Sequence, residues 1–137
     1  MKKILAIDAV GCLVDFNGNI NLRVKNLIQK FDNRKIVLTN ADDEEKKKFL
    51  RNVSYETFTL KHKPNKSITK YYKKFLSKYK LQPYELIYVE HDIKAVKSAK
   101  SNGIITHHFD GNIKKLKNFL NLFLNKEQSY PKKNKLK

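Results

Sequence analysis

Asp8, Thr39, Lys63 and the triplet Glu90-His91-Asp92 are the side chains of this sequence whose types and placement could do chemistry. Asp8 ends the short apolar run Ile4-Leu5-Ala6-Ile7, and Gly11 follows three positions later. Thr39 closes the run Ile36-Val37-Leu38, and Glu90-His91-Asp92 follows Leu86-Ile87-Tyr88-Val89. Lys63 stands in a Lys-Pro pair. Runs this short and this β-branched read as buried strands. In open α/β sheets, chemistry sits just beyond the carboxyl ends of such strands, where the loop is exposed and the scaffold behind it is rigid. Phosphoryl transfer to a carboxylate needs a nucleophile, a cation that screens phosphate charge, a fixed positive group and donors for the equatorial oxygens. Groups of those kinds are present here.

The elements that must position them alternate. After the first strand, Asp15-Phe16-Asn17-Gly18-Asn19 is turn chemistry. Ile20, Val24, Leu27, Ile28 and Phe31 recur at helical spacing and predict an amphipathic helix over about 20–31. Lys35 to Asn40 reads as a second strand. The next helix, Asp42 to Arg51, has Asp42-Asp43-Glu44-Glu45 in its first turn and lysines after it, the order a helix dipole favours. Thr57 to Leu60 reads as a short strand leading to Lys63-Pro64, which opens a helix carrying the stripe Ile68, Tyr71, Tyr72, Phe75, Leu76 and Tyr79. Leu86 to Val89, a helix ending at Gly103, the strand Ile104 to His107 and a helix with Ile113, Leu116, Phe119, Leu120, Phe123 and Leu124 inward complete the pattern. Strands alternating with helices predict a parallel sheet covered on both faces. His107-His108 is expected in a surface loop. Residues 1–125 read as one α/β domain, and 126–137 as a disordered, lysine-rich tail.

The lone Cys12 excludes an internal disulfide and a cysteine-based zinc cluster, so the expected compartment is a reducing cytoplasm. The apolar run after Met1-Lys2-Lys3 breaks at Asp8, too early for a secretory core, and no later segment approaches membrane-spanning length. The formal charge of +17 raises nucleic acid as a partner. Against that, Arg23, Arg34 and Arg51 are the only arginines, and the lysines are scattered over most helices. Arginine is the residue suited to base edges and bidentate phosphate contacts. Solvated surface is the preferred reading.

The stretch from Lys3 to Asp15 resembles the first motif of the haloacid dehalogenase-like superfamily, Asp-x-Asp-Gly-Thr-Leu. Asp8, Gly11 and Leu13 match; Val10 stands where the second aspartate belongs and Cys12 where the threonine belongs. Thr39 resembles the second motif and Lys63 the third. Tyr88-Val89-Glu90-His91-Asp92 resembles the fourth, Tyr-Val-Gly-Asp-Ser, with His91 at the place of a magnesium-binding aspartate and Ala95 at that of a second acid.

The resemblance implies a three-layer, Rossmann-type α/β sandwich with a central parallel sheet. Only about thirty residues separate Asp8 from Thr39, too few for a helical cap. It further implies a phosphohydrolase acting on a phosphomonoester, with Asp8 as nucleophile forming an aspartyl-phosphate. Thr39 and Asn40 would bind phosphate, and Lys63 would pair with carboxylate and phosphate. Magnesium would be held by Asp8, the Val10 carbonyl and oxygens or nitrogen from Glu90, His91 or Asp92. Val10 cannot act as an acid or base, so activity is expected to be weakened. The superfamily's dehalogenases, whose first motif resembles Asp8-Ala9-x-Gly11-x-Leu13-x-Asp15, work without magnesium. The alternatives are a catalytically inactive protein that keeps an anion site and a basic nucleic-acid-associated protein.

Overall fold

A computed structural model of the chain describes residues 2–125. Five strands form one sheet: β1 (Ile4–Asp8), β2 (Lys35–Thr39), β3 (Glu56–Thr59), β4 (Leu86–Glu90) and β5 (Ile105–His108). Their order is β3-β2-β1-β4-β5, and every pairing is parallel. Five α-helices cover the sheet: α1 (Leu22–Ile28), α2 (Asp43–Phe49), α3 (Thr69–Tyr79), α4 (Ile93–Ser101) and α5 (Ile113–Leu120). The expected three-layer α/β sandwich is therefore the observed one.

Alternation along the central strands sorts the core into two halves. Leu5 and Ile7 of β1, with Ile87 and Val89 of β4, face α1 and α5, where Val24, Leu27, Ile28, Leu116 and Leu120 pack. Ala6, Leu86 and Tyr88 face the other way, against Tyr71, Tyr72 and Phe75 of α3 and Ala99 of α4. On that second face the Tyr71 and Tyr72 rings lie 5.0 Å apart, and those of Tyr72 and Tyr88 5.7 Å. The first pair packs edge to face and the second is tilted, and the edge-to-face arrangement suits the aromatic quadrupole. The Tyr71 hydroxyl donates to the carbonyls of Thr39 (2.9 Å) and Phe58 (3.2 Å), tying α3 to the ends of β2 and β3.

Two expectations are corrected here. Lys63-Pro64 does not open a helix: α3 starts at Thr69, and residues 61–67 form turns. Ile68, counted in the apolar stripe, is the N-cap residue and is exposed. His107-His108 is not loop but the end of β5, with the His107 ring stacked on Phe119 at 5.0 Å. The last apolar stretch is α-helical to Leu120 and widens into a π turn over Asn121–Asn125. Between β1 and β2 the chain forms a small hairpin, in which Val14 pairs with Val10 and Ile20, and then α1; no cap domain occurs among the described residues. No helix there is long and apolar enough to cross a membrane. The expected tail, 126–137, lies outside the described residues.

Candidate active site

The carboxyl ends of β1, β2 and β4 open into a cavity of about 300 Å³. Its lining includes Asp8 and Val10 after β1, Thr39, Asn40 and Ala41 after β2, and Glu90, His91 and Asp92 after β4. Parallel pairing places these ends side by side, because Ile7 is in register with both Val37 and Val89. Sequence positions more than eighty apart thus share one pocket.

Lys63 is not among them. It is exposed in the turn after β3, and the lysine that reaches Asp8 is Lys66. The Lys66 ammonium lies 2.5 Å from Asp8 Oδ1 and 2.8 Å from Glu90 Oε1, and also donates to the Leu38 carbonyl at 3.3 Å. Asn40 fixes the approach: its Oδ1 accepts the Lys66 backbone N–H at 2.7 Å. The turn that delivers Lys66 is bent by two left-handed residues, Lys61 (φ 52°) and His62 (φ 68°).

The other Asp8 oxygen, Oδ2, is 2.5 Å from His91 Nδ1. Glu90 is also satisfied. Its Oε1 accepts from Lys66 and from the Tyr88 hydroxyl, its Oε2 from the backbone N–H groups of His91 (3.1 Å) and Asp92 (3.0 Å). Asp8, Lys66 and Glu90 are 3%, 5% and 0% exposed, so the two carboxylates and their ammonium sit almost out of water. Taking such charges from water is costly unless they are paired and fully hydrogen-bonded. Here two anions meet two cations.

Titration follows from that balance. Burial chiefly raises the Asp8 carboxyl, and the Glu90 charge adds to it, while Lys66 and His91 pull it down. Burial also works against the Glu90 charge, but the Lys66 ammonium and the hydrogen bonds of His91, Lys66 and Tyr88 outweigh it and hold the carboxyl well below its usual range. Lys66 loses hydration yet is pushed well above the ordinary lysine value by Asp8 and Glu90. Hydrogen bonds to Asp8 and Glu90 push His91 up to about 10.

Gly11 makes room for the imidazole. It has φ +102°, and a Cβ added there would stand 2.4 Å from His91 Nδ1. Phe16 meets the same imidazole edge-on, with centroids 6.3 Å apart.

Magnesium prefers about six hard oxygen ligands in octahedral geometry. The donor cluster around Asp8 offers one oxygen, one sulfur and one nitrogen: Asp8, Cys12 and His91 lie with their ligand atoms within 4.8 Å of one another. Burial raises the Cys12 thiol well above its ordinary value, which keeps it protonated. Lys66 and His91 already set positive charge against the two Asp8 oxygens, and Lys66 against Glu90, which repels a dication. This donor set does not fit magnesium.

Thr39 is buried, and its Oγ1 accepts the Ala41 N–H at 3.2 Å, leaving the hydroxyl proton to donate. Asp92 is the N-cap residue of α4 with no side-chain capping bond, and is exposed. The opposite wall adds Glu45, Phe49 and His62, none of which the sequence motifs singled out.

The chain matches no protein-family model and no curated protein by sequence. Solved structures do resemble it. An uncharacterized protein from Corynebacterium glutamicum superposes with a TM-score of 0.64 at 16% identity, over 90% of this chain and 96% of that one. A HAD family enzyme from Bacteroides thetaiotaomicron, solved in complex with magnesium and inorganic phosphate, gives 0.63 at 14% identity, over 82% and 96%. A haloacid dehalogenase-like protein of unknown function from Agrobacterium tumefaciens gives 0.55 at 14% identity, over 64% and 44%. With its parallel five-stranded sheet and its strand-end aspartate, this chain has the haloacid dehalogenase-like fold.

Proposed function

We propose that the protein is a phosphohydrolase that takes the phosphoryl group of a phosphomonoester onto Asp8, with turnover weakened by Val10. The observation that carries this reading is the grip on Asp8 at the cavity floor, Lys66 on one oxygen and His91 on the other. A carboxylate has about four acceptor sites, so two remain for attack. Lys66 and His91 supply the positive charge that screens an incoming phosphate. The Thr39 hydroxyl and the backbone after it provide donors for the equatorial oxygens. Asp8 attacks phosphorus, the bond to the ester oxygen breaks, and water then releases phosphate and restores the carboxylate.

An inactive anion-binding protein is the second reading. It is favoured by the apolar Val10 at the pocket wall and by the closed charge balance of Asp8, Glu90, Lys66 and His91. No feature of the described site favours nucleic acid, and the basic surface reads as solvation. Hydrolysis of an aryl phosphate, with Asp8→Asn as the control, tests the first reading. Activity that survives chelation and disappears in Asp8→Asn is the expected result. Fluoroberyllate uptake by wild type without turnover would favour the second.

A further inference from the structure

Val10 leaves the reaction without the carboxyl group that would protonate the departing oxygen, yet the cavity has a second polar wall. His62 Nε2 lies 2.7 Å from Glu45 Oε1, and both side chains line the cavity that holds Asp8. Glu45 is itself fixed. It is the third residue of a capping box, in which the same Oε1 accepts the Asp42 N–H at 3.0 Å while Asp42 Oδ1 accepts the Glu45 N–H at 2.9 Å. His62 is held there on a left-handed backbone, with Lys61 left-handed before it. Two consecutive left-handed non-glycine residues cost free energy that the fold must offset elsewhere.

We propose that His62, positioned by Glu45, is the general acid and base of this site; the proposal rests on the phosphohydrolase reading above. Phosphoryl transfer runs with attacking and leaving oxygens roughly in line. Asp8 lies on the buried floor, so the leaving oxygen points to the mouth, where His62 is 43% exposed. Nε2 donates to Glu45; neutral Nδ1 accepts from Asn65 Nδ2 in a long 3.4 Å contact, which gives way when Nδ1 is protonated and donates to the ester oxygen. As the ester P–O bond breaks, protonated His62 gives the Nδ1 proton to the departing oxygen and becomes neutral. Neutral His62 then takes a proton from water, the water oxygen bonds to phosphorus, and the bond from phosphorus to Asp8 breaks. Phosphate leaves, and His62 is again protonated. Asp92 is the competing group at the mouth, but its side chain makes no capping bond among the described residues, whereas Glu45 holds His62.

The test compares an alkyl phosphate with an aryl phosphate of low leaving-group pKa, and follows phosphoenzyme formation in single turnovers. Loss of a general acid costs about 10²–10⁴-fold where the leaving group needs a proton. His62→Gln should slow phosphoenzyme formation from the alkyl ester by at least about 100-fold, and from the activated aryl ester far less. Glu45→Gln should give a smaller loss with the same leaving-group dependence. Val10→Asp should restore part of the alkyl activity of His62→Gln. Fluoroberyllate uptake by His62→Gln should match wild type, which shows that the floor is intact. Equal rates for His62→Gln and wild type on both esters, or a leaving-group-dependent loss in Asp92→Asn instead, would overturn the proposal and leave Asp8 as nucleophile. Wild type that neither turns over nor takes up fluoroberyllate would bring down both.

Discussion

Lys66 and Lys63 differ by three positions and by almost everything else. Replacing Lys66 with Met leaves Asp8 and Glu90 buried without their shared ammonium, and breaking a buried pair in this way costs about 3–5 kcal/mol. Lys63→Met, at an exposed site, should stay within about 0.5 kcal/mol of wild type. Urea unfolding of the two variants measures both, and equal stabilities would refute the ion network around Asp8. His91 makes a second prediction, in pH. Its native value of about 10 lies above the ordinary 6.5 of histidine. Its contribution to stability is therefore complete below about pH 6.5 and is lost as pH rises through about 10. Wild type should lose more of its thermal midpoint between pH 7 and 10.5 than His91→Asn does. Parallel profiles would count against the His91–Asp8 pairing. Gly11→Ala should be destabilising for two reasons, the left-handed φ and the collision with the His91 ring. Only the second is relieved in Gly11→Ala/His91→Ala, so a double-mutant cycle should show positive coupling.

At the level of elements, what could be read from the sequence was whatever local pattern decides. Apolar runs ending in a polar residue located β1, β2 and β4, and with them Asp8, Thr39 and Glu90 at one edge. Spacing of three and four located α1, α3 and α5. The lysine of the site was not legible in this way. Lys61, Lys63 and Lys66 are three similar residues in six positions, and which one turns inward depends on two left-handed residues and on Asn40, fixed by β2 some twenty-five positions earlier. The pairing of Glu45 with His62 was hidden for a related reason, since its partners lie on α2 and on the turn after β3. The acid-rich start of α2 was legible as a helix signal; its second use was not. Asp42→Ala should cost about 1 kcal/mol of stability through loss of the cap, and thermal unfolding in comparison with an exposed control such as Glu44→Ala measures it.

Over the whole molecule, charge and aromatic content set the remaining behaviour. A formal charge of +17 on 137 residues destabilises a compact state through self-repulsion, and salt screens it. The thermal midpoint should therefore rise from 10 mM to about 300 mM sodium chloride, against the direction expected if exposed ion pairs such as Arg34–Glu56 dominated. The tyrosines on the second face of the sheet have a further use. The chain contains no tryptophan, so tyrosine emission is not masked by a stronger fluorophore. Tyr71, Tyr72 and Tyr88 are packed ring to ring, and Tyr88 donates its hydroxyl to the carboxylate of Glu90, a contact that quenches phenol emission. The protein thus carries its own optical reporter, which shares the Glu90 carboxylate with the lysine that holds Asp8. Tyrosine emission should brighten when the Tyr88–Glu90 hydrogen bond is broken, whether the whole chain unfolds or the floor of the pocket alone rearranges.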